Sequence, residues 1–442
     1  MTQAEVTHIA PRRQSVVIIG GGFAGINAAR ALSVCNAEVV LIDRRNHHLF
    51  QPLLYQVATA VVAPSEIAAP IRQLVGTQKN LSVILGEVTG VDMKSRSVVT
   101  YREGLGEKTI SFDYLVVATG VQSSYFGHDE YAEYAPSLKT LADAEVIRAK
   151  ILTAYELAEL TDDPIECKKQ LTFVIVGGGP TGVEMAASIA EMATVTLCSN
   201  FRRIDPAKSS IILIEGGKRI LPTFHESLAA AAANRLERLG VELRTGANVE
   251  RVDEHGVIVG GNRIESATVL WAAGVAPSPV VKMLGVATDR SGRVVVGPNM
   301  NVLDAQRLFV VGDSATIMQD GRPLPGVAQV AIQSGKHVGT FIAGEINGFA
   351  SARAFRYFNK GNLAVVGKNF ALLERNDVRL SGFVAWLAWA FVHLAFLPQL
   401  QNRLRVEIQW LWSYCTGQRG SRLIPETTTI RRAADLQKAS SS

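Results

Sequence analysis

The sequence predicts an α/β fold with two dinucleotide-binding units, followed by a helical region that associates with a membrane. Three observations carry that prediction. A G-x-G-x-x-G fingerprint occurs twice, as Gly20-Gly21-Gly22-Phe23-Ala24-Gly25 and as Gly177-Gly178-Gly179-Pro180-Thr181-Gly182, each directly after a run of β-forming residues. An apolar strand ending in small residues recurs at about the same distance beyond each copy: residues 114–117 with Ala118-Thr119-Gly120, and residues 269–271 with Ala272-Ala273-Gly274. Near the end, the uncharged run 380–397 precedes an amphipathic stretch.

Residues 15–19 read as a buried parallel strand, the glycines as its tight turn, and residues 26–32 as a helix whose positive N-terminus faces a pyrophosphate. Gly20, Gly22 and Gly25 are the candidate binding positions. The next strand, 38–42, ends at Asp43, placed to accept hydrogen bonds from ribose hydroxyls. The second copy repeats this logic, with a strand at 171–176, Gly177, Gly179 and Gly182 in the turn, and a second strand, 210–214, ending at Glu215. A carboxylate there repels a 2′-phosphate and favours NADH; Lys218 and Arg219 keep NADPH open, since either can meet that phosphate by turning inward. Ala118, Thr119, Gly120 and Gly274 let backbone approach a flat cofactor, the plain alternative being a strand-end turn.

A chain of 442 residues has room for two or three domains with buried cores. At 48% hydrophobic it is richer in apolar residues than a freely soluble protein. Cys35, Cys167, Cys198 and Cys415 show no C-x-x-C spacing and no cluster with histidine, so neither zinc nor a disulfide framework is expected and a reducing interior fits. His47 and His48 lack an i+4 partner and read as loop residues, so no metal is assigned. Residues 1–14 read as a disordered lead without a secretory signal, and 427–442 as a disordered tail.

The net charge is +5, and its basic excess gathers after Gln401, in Arg403, Arg405, Arg419, Arg422 and the residues beyond. Basic tails suit nucleic acid or anionic lipid. Here Leu400, Leu404, Ile408 and Leu411 recur at helical spacing and Trp410 and Trp412 stand beside arginines, which suits the headgroup layer; no nucleic-acid partner is expected, and residues 380–415 are the expected lipid contact. The run 380–397 is borderline for a span, which needs about 17–20 apolar residues. A buried core or dimer-interface helix, a single span and in-plane attachment stay open, and the amphipathic neighbour favours the last.

The chain resembles the type II NADH:quinone oxidoreductases over nearly its whole length. Beyond the fingerprints and their acids, the resemblance rests on Asn46-His47-His48-Leu49-Phe50-Gln51-Pro52-Leu53-Leu54-Tyr55-Gln56, on Ala328-Gln329-Val330-Ala331-Ile332-Gln333 and on Trp410-Leu411-Trp412-Ser413-Tyr414. It implies two Rossmann-like domains in a glutathione-reductase-like arrangement, the first binding FAD non-covalently and the second NADH, with a C-terminal region on the membrane that helps form the quinone site. It further implies that Asp313, in Gly312-Asp313, holds the flavin's ribityl chain, that Ala328 belongs to the cofactor site and that Gln329 and Gln333, on one helix face, lie at the quinone. Glu184, two residues past Gly182, is expected in the first turn of its helix, where the dipole steadies a carboxylate, and the resemblance places it at the nicotinamide and flavin. The plain readings are a turn aspartate, two surface amides and a helix-start acid.

The expected domains are 15–135 with 269–348 for FAD, 136–268 for NADH, and 349–426 for quinone and membrane. The expected protein is a homodimer on the cytoplasmic face of the plasma membrane that pumps no protons, having no bundle of spanning helices. Two other functions compete. A soluble NAD(P)H-dependent flavoprotein reductase of a ferredoxin-type protein gives no reason for residues 380–412, and a non-enzymatic NADH/FAD redox sensor would show a dispersed cationic face. Disulfide and sulfide:quinone reductases need a cysteine pair that the first unit lacks.

Overall fold

The computed structural model describes residues 12–349 and 353–424; the expected tail 427–442 and most of the expected lead lie outside them. The chain forms two compact units. The first comprises the described residues of Met1–His48, Pro70–Gln122 and Ala276–Phe358, the second those of Leu49–Ala69, Ser123–Val275 and Asn359–Ser442.

The first unit is built on a six-stranded sheet in the order Asn301–Val302, Ala305–Val310, Tyr114–Val117, Gln14–Ile19, Ala37–Asp43, Leu81–Leu85. All pairs are parallel except the short outermost one, Asn301–Val302 with Ala305–Val310. Val16, Val17, Ile18, Leu41, Leu115 and Val116 are fully buried, which is why these strands read as continuous apolar runs rather than alternating ones. Strand order reverses at Gln14–Ile19, and in open parallel sheets that switch point opens a crevice for ligands beyond the strand ends. The helix Phe23–Ala31 packs against the long helix Ala328–Asn347, whose Gly335 and Gly339 lie so close that a Cβ would stand 2.1 Å from the Ala24 carbonyl oxygen and 2.4 Å from that of Ala28. That closeness fixes where the N-terminus of Ala328–Asn347 sits within the unit.

The second unit repeats the topology with four parallel strands in the order Val241–Thr245, Ser210–Glu215, Thr172–Val176, Thr268–Trp271. The strand at 268–271 therefore belongs here: its backbone pairs with the second fingerprint strand, and the first unit resumes only at Ala276. The expected boundary at residue 269 moves accordingly, and residues 123–135 and 49–69 also join the second unit. So does the C-terminal region from Asn359, which opens with the antiparallel strands Asn362–Val365, Ala371–Arg375 and Val378–Gly382.

The apolar run expected as one helix over 380–397 begins in that last strand, and its helical part is Phe383–Phe396. Fourteen residues rise about 21 Å, short of a hydrocarbon core about 30 Å thick. Among the described residues no helix is long and apolar enough to cross a membrane. Pro398 ends the first helix, and Leu400–Thr416 follows as the second arm of a helical hairpin.

Candidate active site

The two fingerprints adopt one geometry, each within its own unit. In the first, the Ile19 carbonyl accepts from the Ala118 amide at 2.8 Å, and a Cβ on Gly20 would stand 2.5 Å from the Ala118 oxygen. In the second, the Val176 carbonyl accepts from the Ala272 amide at 2.7 Å, and a Cβ on Gly177 would stand 2.7 Å from the Ala272 carbonyl carbon. Both glycines have a left-handed φ, +104° and +112°, that a side chain would resist. Gly25 and Gly182 let each helix close on its own strand, since a Cβ there would stand 1.8 and 1.9 Å from the carbonyl oxygens of Gly20 and Gly177. Gly22 and Gly179 are the N-caps; neither helix start has a side-chain cap, and a Cβ on either residue would meet nothing within 4 Å. Each helix thus presents unsatisfied amides to an open space, a ready anion site.

Asp43 and Glu215 close the loops. Oδ2 of Asp43 accepts from the Gly21 amide at 2.6 Å and Oδ1 from the Arg45 amide at 2.7 Å. Oε2 of Glu215 accepts from the Gly178 amide at 2.6 Å and Oε1 from the Gly217 amide at 2.7 Å. Gly120 and Gly274 differ: around a Cβ on Gly120 there is no atom within 4 Å, whereas on Gly274 it would strike Phe126 at 2.6 Å and the Ser124 carbonyl at 2.9 Å. Packing within the protein therefore accounts for Gly274 without a cofactor. Arg219, open as a 2′-phosphate partner from sequence, has its guanidinium turned to the carbonyls of Pro222 and Phe224.

In the first unit Asp313 sits in the short turn Gly312–Ser314. Ser314 Oγ donates to the Gly120 carbonyl at 2.9 Å and lies 3.3 Å from Thr119 Oγ1, so this turn and Ala118-Thr119-Gly120 form one rim. Ala328 is the first residue of a helix whose N-cap, Val327, offers no side-chain acceptor. Gln329 has a buried Oε1 without a hydrogen-bond partner. Gln333, one turn on, is already engaged: its Nε2 donates to the Phe358 carbonyl and its Oε1 accepts from the Phe358 amide, each at 3.0 Å.

Glu184 is the fifth residue of Pro180–Glu191, past the first turn rather than in it. Burial dominates there, pushing its carboxyl up to about 8 against a backbone hydrogen bond at Val365 that lowers it. Tyr55, buried in the helix Leu54–Ala58, has its phenol raised well above the ordinary value by burial and then by the charge of Glu184. Its hydroxyl accepts from Gln56 Nε2 at 3.0 Å, and Gln56 Oε1 accepts from Trp410 Nε1 at 2.7 Å. Asn402 adds bonds to the carbonyls of Ser65, Glu66 and Ala68. The segment 49–69 is thus the seat of the C-terminal hairpin within the second unit.

Arg419 corrects the reading of the basic tail. It is 5% exposed, donates to the Thr59 carbonyl at 2.8 Å and to Ser188 Oγ at 3.3 Å, and approaches Glu191 at 3.9 Å. Burial lowers its guanidinium to about 10. A π-helical turn, Met192–Thr196, follows directly, and Thr196 Oγ1 donates to the Gly417 carbonyl. His48 corrects another expectation: it lies in the short strand His47–Leu49 and is buried. From sequence, Ser188 and Asn402 have no role, Arg419 counts only as tail charge and Gln56 enters only within the resemblance, because polar residues in apolar surroundings gain meaning only from partners far along the chain.

Residues 14–335 match the model of the pyridine nucleotide-disulphide oxidoreductase family. The chain is 42% identical, over 97% of its own length and 94% of the relative's, to the type II NADH:quinone oxidoreductase Ndh of Mycobacterium tuberculosis. It is 41% identical to NdhA, a type II NADH:quinone oxidoreductase of the same organism, over 93% and 89% of the two chains. In fold it is similar to the Plasmodium falciparum NDH2 solved in complex with NADH, with a TM-score of 0.83 and 20% identity over 92% of this chain and 99% of that one.

Proposed function

We infer the function from descent, since this chain belongs to the type II NADH:quinone oxidoreductases: it is a flavoprotein that oxidises NADH and reduces a quinone without pumping protons. The observation that carries the reading is the pair of fingerprints, each with an open helix N-terminus and an acid holding its middle glycine. Residues of the first unit fit FAD. Gly22 and the free amides behind it suit a diphosphate, and Gly120 leaves room for a flat ring system. We assign Gly20, Gly22, Gly25, Asp43, Ala118, Thr119, Gly120, Asp313 and Ala328 to FAD, and Gly177, Gly179, Gly182 and Glu215 to NADH; Gly274, expected there from the sequence, is left to its packing against Phe126 and Ser124. Bound FAD supplies the ability to take two electrons from one substrate and pass them to another.

The chain's own residues bind, orient and manage protons. Reduction of a quinone consumes two protons, and Glu184, held up to about 8 by burial, carries one at neutral pH. Gln329 is the candidate residue at the quinone site: its unpartnered Oε1 accepts, and so suits the hydroxyl of the quinol product rather than the quinone carbonyls, which only accept. Gln333 holds the Phe358 backbone. Anaerobic NADH is expected to bleach the yellow protein, and a short-chain quinone to restore the colour. Bleaching without recovery would point to another acceptor.

The hairpin Phe383–Thr416 turns Val384, Phe391, Leu400, Ile408, Leu411 and Trp412 outward, all more than half exposed. This apolar face supports attachment to a lipid surface in the membrane plane, and we assign that surface to the cytoplasmic face of the plasma membrane on the family resemblance alone. Flotation with liposomes that survives high salt is the expected result, and loss by salt alone would exclude it. Homodimer formation is supported by the family resemblance and is checked by light scattering in detergent.

A further inference from the structure

We propose that His48 is a positioning residue for the first fingerprint loop, a role that rests on reading this loop as the phosphate site of FAD. His48 is 6% exposed, and its Nδ1 lies 3.0 Å from the Gly21 carbonyl oxygen. A carbonyl only accepts, so Nδ1 bears the proton and donates. The ring meets Phe23, the first residue of the helix, edge-on with centroids 5.0 Å apart. On the other side of the same glycine, the Gly21 amide is held by Asp43 Oδ2 at 2.6 Å.

The carbonyl of Gly21 and the amide of Gly22 belong to one planar trans peptide and point in opposite directions. Holding the carbonyl toward His48 therefore turns the Gly22 amide away from the ring, at the uncapped N-terminus of Phe23–Ala31 where a diphosphate would sit.

The second fingerprint supplies independent evidence that this tie matters. Gly178, the counterpart of Gly21, has its amide on Glu215 Oε2 at 2.6 Å and its carbonyl on the Leu221 backbone amide at 2.8 Å. Both loops pin both peptides of the middle glycine. In the second the carbonyl's donor is backbone, and in the first it is the His48 side chain.

The test is retention of FAD by the purified holoprotein, followed as the rise in flavin fluorescence on dilution, for His48→Phe and His48→Asn. Phenylalanine keeps a ring and removes the donor; asparagine restores a donor near the position of Nδ1. Losing a buried hydrogen bond of this kind predicts about tenfold faster release for His48→Phe. For His48→Asn, release within about threefold of the wild type is expected, as it keeps a donor. NAD+ binding at the second unit serves as the fold control and stays unchanged. Release from His48→Phe at the wild-type rate overturns the proposal, as does equal loss in both variants. Should His48→Phe fail to fold, His48→Asn decides alone, and release as fast as about tenfold counts against the donor. A wild-type protein that carries no FAD overturns the underlying reading instead.

Discussion

The two fingerprint loops have the same backbone path and different supports. Each middle glycine donates to the acid that ends the second strand, Asp43 in one and Glu215 in the other, at the same 2.6 Å. The carbonyl on its far side is held by a side chain in the first loop and by the Leu221 backbone in the second. A side-chain tie can be erased by one substitution, whereas a backbone tie persists through most changes at its position. The rims differ as well: Gly120 faces open space, while Phe126 and Ser124 fill the place beside Gly274. A shared motif therefore specifies a loop's shape, and the surroundings decide how that shape is kept.

The largest break expected is at the closing glycines. A methyl on Gly25 or Gly182 would overlap a backbone oxygen, so Gly25→Ala should purify without flavin and Gly182→Ala should keep its colour but lose NADH, each by about 100-fold or more. Flavin absorbance and the KM for NADH separate the two, and an identical phenotype in both would undo the assignment of one nucleotide to each loop. Next come the acids. Asp43→Ala should weaken FAD retention, and Glu215→Ala should weaken NADH binding while raising the kcat/KM ratio of NADPH to NADH, each by about tenfold, as expected for losing hydrogen bonds to a charged group.

Outside the loops, the effect expected at Glu184 is on stability rather than on binding. Its carboxyl stands at about 8 in the folded protein against an ordinary value of 4.5. Below 4.5 both folded and unfolded chains are protonated. Between that value and about 8 the unfolded chain has lost a proton that the folded one keeps, so the wild type loses stability with rising pH relative to Glu184→Gln. Above about 8 the difference levels off, and melting curves across this window provide the check. Parallel curves throughout would mean that the carboxyl is not held up by burial. At the glutamines, Gln329→Ala should raise the quinone KM about tenfold and Gln333→Ala, the smallest change of all, about threefold, because the Gln333 amide is already taken up by the Phe358 backbone while Gln329 Oε1 is not engaged. The KM for NADH should change in neither. A greater loss in Gln333→Ala would reverse these roles.

Both loops were legible because their chemistry is local. Three glycines at fixed spacing, an apolar strand before them and an acid at the end of the next strand fall in one strand–turn–helix–strand stretch of the chain, so the turn can be read from that stretch. The two small-residue strand ends lie far along the chain from their glycines and were legible only because the pattern repeats, and the structure lays them against Gly20 and Gly177 as backbone neighbours. Less local features escaped. The apolar run at 380–397 reads as one helix, but backbone pairing takes its first residues into Val378–Gly382, because strand hydrogen bonds to Ala371–Arg375 are invisible to hydropathy. Domain edges moved for the same reason, since Thr268–Trp271 follows its hydrogen-bonded neighbour rather than its place in the chain.

What the sequence by itself determined is the chemistry on offer: two phosphate loops, their acids, the glutamine pair and an apolar, tryptophan-bearing end. Only the tertiary structure decided which of those groups are already spoken for. It occupied Gln333 with Phe358, buried Arg419 against Thr59 and Ser188, raised Glu184 to about 8 and set His48 on Gly21. The physical reason is range. A glycine pattern and the strand before it are written in one stretch of chain, whereas desolvation and hydrogen bonding depend on whatever the fold brings within about 3 Å.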